Sequence, residues 1–196
     1  MQFHIVGIDP SLSATGICRI RPGTPNPVQI DLIRSSRVPN AKYPHTLARI
    51  RRLAGDVVRA ARVDYEEGDI LVVCMEGPIF GQANGQYHTR AGLWWLLYHL
   101  LEKLGFIVIV EPTKLKKYAT RKGNAPKDLV FASIIRSFPQ VGIVDNNEAD
   151  AVGLAAMVSR ELGFPMEPSV QRVDPSALEG VDWPDFIIQQ RRNRNG

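Results

Sequence analysis

The chain has 196 residues, 44% of them hydrophobic, and a formal net charge of +4. That length suits one domain with a full-sized core and little more. No apolar run reaches the ~20 residues of a membrane helix, and no secretory leader pattern opens the chain. Cys18 and Cys74 sit in apolar runs and read as buried thiols rather than a disulfide or zinc pair, which suits a reducing cytoplasm.

The first stretch, Phe3 to Asp9, reads as a buried strand stopped by Pro10, Ser11 and Ser13. Asp9 is an acid at the end of an apolar run, and a buried carboxylate needs a positive partner. Taken alone it reads equally well as a cap for the turn. Thr15 to Ile20 continues as a second strand, residues 21 to 27 form a Pro- and Gly-rich turn, and Val28 to Ile33 is a third strand. The start is therefore expected to be an antiparallel meander. Leu47, Ile50, Ala54, Val57, Val58 and Ala61 then recur at helical spacing.

Ile70 to Met75 is a continuous apolar run, as in a parallel strand covered on both faces, and it ends in Glu76. Two acids at strand ends of one open sheet can converge on one spot. Residues 79 to 92 read as a mobile loop. Leu93 to Leu104 forms a helix apolar on nearly every side, which requires cover beyond one sheet face: its own monomer or a second subunit. Phe106 to Val110 is the next buried strand. Lys127 to Phe138 is a helix, and a further helix starts at Asp145-Asn146-Asn147-Glu148-Ala149-Asp150 with acids in its first turn. Ala149, Val152, Gly153 and Ala156 form a small-residue face expected to pack on the sheet, with Asp150 near it. Past Phe164 the periodicity fails among prolines, and residues 164–196 read as a poorly ordered or partner-dependent tail after a domain at 1–163.

The positive charge is clustered. Lys114, Lys116, Lys117, Arg121, Lys122 and Lys127 follow one another with no acid between Thr113 and Lys127. A second group spans Arg34, Arg37, Lys42, Arg49 and the arginines up to Arg62. Clusters of this kind favour a phosphate-rich partner, although a solvated face is the commoner explanation of any single one. Three acids, one per structural unit, with lysines alongside, are what a two-metal phosphodiesterase requires.

In order and spacing, Gly7-Ile8-Asp9-Pro10-Ser11 with Thr15-Gly16, Glu76 after Val72 to Met75, Leu115-Lys116-Lys117, Gly123 to Lys127 and Ala149-Asp150-Ala151 resemble the RuvC-like Holliday junction resolvases of the ribonuclease H superfamily. The long loops and tail resemble phage-encoded members. The resemblance implies an α/β fold with a five-stranded mixed sheet flanked by helices, and a homodimer, here through the Leu93–Leu104 helix. It implies Mg²⁺-dependent nicking of branched DNA, with Mn²⁺ as substitute, in the cytoplasm of a bacterial or phage-infected cell. Asp9, Glu76 and Asp150 match metal ligands, Lys116 and Lys127 match catalytic lysines, and Ile79 or Phe80 falls at a junction-wedging aromatic. Lys114, Lys117, Arg121 and Lys122 are expected to contact DNA. Where relatives carry Asp or His three positions before the last Asp, this chain has Asn147, which shares a helix face with Asp150 and offers a neutral oxygen. Glu148 is the alternative fourth ligand. A non-catalytic junction-binding protein and an actin-like kinase compete with this reading. The kinase needs two such domains, for which the chain is too short.

Overall fold

The computed structural model describes residues 2–37, 39–78, 86–169 and 172–195. Ile79 and Phe80, the expected wedge, lie outside the described residues. Five strands, β1 (Phe3–Asp9), β2 (Ala14–Ile20), β3 (Val28–Arg34), β4 (Ile70–Glu76) and β5 (Phe106–Val110), form one mixed sheet in the order β3-β2-β1-β4-β5. β1, β2 and β3 pair antiparallel as the expected meander, while β1–β4 and β4–β5 are parallel. The helices are α1 (Tyr43–Ala61), α2 (Tyr87–Leu101), α3 (Pro112–Thr120), α4 (Lys127–Ser137), α5 (Asn146–Glu161) and α6 (Asp185–Asn195). Among the described residues no helix is long and apolar enough to cross a membrane.

Side chains of a strand alternate between faces, and that period divides the core in two. Ile5, Cys18, Val72, Cys74 and Val108 pack against α3, α4 and α5. Val6, Ile8, Ile17, Leu71, Val73 and Met75 pack against α1 and α2. By the same parity Gly7, Asp9 and Glu76 belong to the α5 face. A Cβ on Gly7 would overlap the Ala151 carbonyl oxygen, and one on Gly16 would overlap that of Asn147. Both glycines thus let α5 lie directly on β1 and β2, closer than any side chain permits.

α5 meets the sheet through Asn147, Ala151 and Ala155, which corrects the expected contact face. Gly153 points the other way, against Leu115 of α3 and Ile134 of α4. α5 is buried nearly all round, so small residues are needed on two sides rather than one.

α2 buries only Leu93, Leu97 and Leu101 against the sheet, and Trp95 on its outer side is 64% exposed. The tail also departs from expectation. Val173, Ala177, Leu178, Trp183 and Ile187 are buried in the core on the α5 side, Phe186 stacks near Phe106, and Arg191 pairs with Glu161 at 3.2 Å. Full burial of Ile187 alone contributes ~1.5–3 kcal/mol. The prolines broke the periodicity that marks helices, but they did not remove the apolar anchors between them.

Candidate active site

Asp9 and Glu76 end adjacent parallel strands, one step beyond the Ile8–Met75 pair. The turn after Asp9 is closed by Thr15, whose Oγ1 donates to the Ser11 carbonyl at 2.8 Å and accepts from the Ser11 amide at 3.2 Å. Arg49 anchors the same turn from α1: its Nη2 donates to the carbonyls of Leu12 and of Ser35, and its Nε to the Ser35 hydroxyl at 2.9 Å. Glu76 is steadied from the other side, where Trp94 Nε1 donates to its carbonyl at 2.9 Å.

Asp150 arrives on the first turns of α5. That helix starts with a capping box: Asp145 accepts from the Asn147 amide at 2.7 Å, and the Glu148 carboxylate accepts from the amides of Val144 at 2.8 Å and Asp145 at 3.1 Å. Glu148 is buried in this role. Asn147 instead lines the cleft with Asp9, Glu76 and Lys127.

The three carboxylates feel one another strongly. Burial, then the Asp150 charge, pushes Asp9 up to about 7, against the pull of Lys127 and of Glu76 within hydrogen-bonding reach. Burial, then Asp9 and Asp150, pushes Glu76 up to about 8, opposed by Lys127 and Lys116. Burial also raises Asp150, opposed by Lys127, whose Nζ lies 3.6 Å from its Oδ2. Like charges in a poorly solvated cleft resist ionising together, so Asp9 and Glu76 favour their protonated forms while Asp150 leans on an ammonium. Among the described residues no group of three or more Asp, Glu, His or Cys side chains is placed to hold a metal ion by itself. The arrangement is an open one: carboxylates and an amide oxygen brought together, with protons and Lys127 offsetting the charge. That hard-oxygen donor set fits Mg²⁺ or Mn²⁺.

The cleft is a cavity of about 260 Å³ whose wall also includes Ser11, Tyr87, Arg90 and Trp94. Tyr87 and Arg90 were missed in a stretch read as loop, and Trp94 was read only as part of an apolar helix, although their spacing of three and four residues is that of one helix face. Asp145 was likewise read only as a helix-start acid, yet its charge bears on Asp9 and Asp150.

No protein-family model and no curated protein sequence matches the chain. Solved structures do. RuvC of Thermus thermophilus superposes with a TM-score of 0.59 at 16% identity, covering 85% of this chain and 99% of that one. The same protein in complex with a Holliday junction substrate gives 0.58 at 15% identity, with the same coverage. The fold is ribonuclease H-like.

On this ribonuclease H-like frame the basic residues separate. Lys127 pairs with Asp150, and the charge of Lys116 bears on Glu76 and Asp150. Lys114 donates to the Glu179 carbonyl, so its ammonium is turned toward the C-terminal segment. The charges of Lys117 and Arg121 bear on Asp174, and Arg121 caps α3 with a left-handed φ of 66°. Lys122 is exposed.

Proposed function

We propose that the chain is a metal-dependent, structure-specific endonuclease that nicks four-way junctions and other branched DNA by phosphodiester hydrolysis. The observation that carries this reading is the delivery of Asp9, Glu76 and Asp150 from three elements to one end of the sheet, beside Lys116 and Lys127. The likeness to a RuvC bound to a Holliday junction supports the choice of substrate.

Asp9, Glu76, Asp150 and Asn147 would hold Mg²⁺ or Mn²⁺. Ions held there would supply an activated water and stabilisation of the leaving oxygen. Lys127 is positioned to exchange its carboxylate partner for a phosphate oxygen, and Lys116 adds positive charge from α3. Both offset charge developing on the scissile group. Lys117, Arg121 and Lys122 extend a basic surface for the flanking backbone. The exposed Trp95, beside half-buried Leu96, Tyr98 and Leu100, supports a homodimer through α2, which would set two sites on opposite strands.

The test is incubation with labelled junction, fork, flap, duplex and RNA–DNA hybrid, with Mg²⁺ or with chelator. Metal-dependent nicking confined to branched DNA, lost in Asp9→Asn, is the expected result. A non-catalytic branched-DNA-binding protein is the second reading, favoured because no three Asp, Glu, His or Cys side chains among the described residues are grouped to hold a metal ion. Tight junction binding without nicking under any metal would select it. Action on DNA in the cytoplasm belongs to both readings.

A further inference from the structure

We propose that the cavity at the start of α1, next to the acids, seats an unpaired nucleotide of the strand leading away from the cut. Its cations take the phosphate, and the exposed ring of Tyr43 takes the base. The inference rests on the nuclease reading and narrows its substrate to DNA with single-stranded character beside the scissile bond.

The cavity has a volume of about 640 Å³, and its wall includes Arg37, Lys42, Tyr43, His45 and Arg49 but no acid among the described residues. Its size is within the ~300–1,000 Å³ of ligand-sized clefts. It adjoins the acidic cleft. Leu12 lines both, and the first turn of α2 divides them, with Gln86 and Thr89 on the basic side and Tyr87 and Arg90 on the acidic side. A strand leaving the carboxylates across Leu12 therefore enters the basic cavity. Arg49 is committed to the floor through Leu12 and Ser35, which fixes the two clefts relative to each other. Arg37, Lys42 and His45 are exposed.

Tyr43 is 92% exposed. It is the first residue of α1, and it lines the cavity from an exposed position instead of joining the core. A single exposed aromatic is ordinary. An aromatic on the rim of an acid-free basic cavity, continuous with a phosphodiester-cleaving site, has the composition of a single-strand-binding surface. Base faces in a duplex are covered by their neighbours, so a stacking ring selects an unpaired nucleotide.

The experiment measures binding in chelator, by fluorescence anisotropy, to an oligothymidylate, a same-length duplex and a same-length strand of abasic residues. Tyr43→Ala should weaken the oligothymidylate by about five- to tenfold and leave the other two near wild type, while Tyr43→Phe binds all three as wild type. Lys42→Ala should weaken every strand and lower the salt slope on single strands by about 0.7. Loss on the abasic strand equal to that on oligothymidylate would overturn the stacking role, and no loss on oligothymidylate would overturn the seat itself. Cleavage assays separate this from the nuclease reading. Metal-dependent nicking with unchanged oligothymidylate binding by Tyr43→Ala sinks only the seat. The expected binding pattern without nicking of any substrate supports the seat and sinks the nuclease.

Discussion

The two cavities that meet at Leu12 differ in charge and in setting: one joins carboxylates to cations, the other holds cations without a carboxylate among the described residues. On one side, buried Asp9 and half-buried Glu76 and Asp150, at strand ends and a helix start, are brought together where α5 packs on Gly7 and Gly16. On the other, cations stand in water at the start of α1. The same kind of Coulomb interaction is strong in the first setting and screened in the second. Buried acids therefore bear on ionisation, metal demand and stability, while exposed cations bear on affinity and its salt dependence.

The sharpest way to break that contrast is to neutralise an acid. Asp9→Asn or Glu76→Gln should lower cleavage by about a thousandfold while junction affinity stays near wild type, because phosphate contacts carry affinity. Metal-dependent nicking by a clean preparation of either variant would end the proposal. The hinge between the two cavities comes next. Arg49→Ala removes donors to Leu12 and Ser35, and should cost about 2 kcal/mol of stability and about tenfold in cleavage; Arg49→Lys should recover only part of both. Chemical denaturation together with single-turnover kinetics reads the two effects.

Buried acids also leave a mark on stability. Asp9 and Glu76 ionise at higher pH in the fold than in the unfolded chain. Their contribution to metal-free stability is full below the ordinary carboxylate range, around pH 4, and is lost as pH rises through about 7 and 8. The metal-free Tm should fall across that window. Asp9→Asn should then be more stable than wild type at pH 8, by about 2 kcal/mol, and no more stable at pH 4. Added Mg²⁺ should raise the wild-type Tm more at pH 8 than at pH 5. A flat metal-free profile would mean the acids are better solvated than the fold indicates.

The first turn of α5 gives a smaller effect. Asn147→Asp should lower the Mg²⁺ concentration for half-maximal cleavage by a few-fold, since a carboxylate attracts the ion more than an amide does. Glu148→Ala should leave that concentration near wild type and cost about 1 kcal/mol of stability through the lost capping box. The reverse pattern would make Glu148 the ligand. The smallest effect is expected at an exposed cation: Lys122→Ala should weaken binding to all DNAs alike and lower the salt slope by about 1, read from affinities across a salt series.

Much of this molecule was legible in local pattern. Apolar runs ending in Asp9 and Glu76 marked buried strands with acids at their ends, and the Asp145 helix start was visible because capping chemistry is local. Lysine clustering was visible for the same reason. Which lysine serves which partner was not, since Lys114 turns to Glu179, 65 residues away in the chain. The C-terminal segment looked loose because its anchors, such as Trp183 and Ile187, are spaced among prolines and show their role only on joining the core on the α5 side. The depth of the carboxylate site depended on Gly7 and Gly16 lying under α5, and the basic cavity on Leu12 and Arg49 joining distant segments. Composition and periodicity report what each stretch would bury, whereas distances between stretches arise only when the chain packs. The sequence alone therefore determined which residues carry the charge, and tertiary packing decided which of those charges lose their water and face one another.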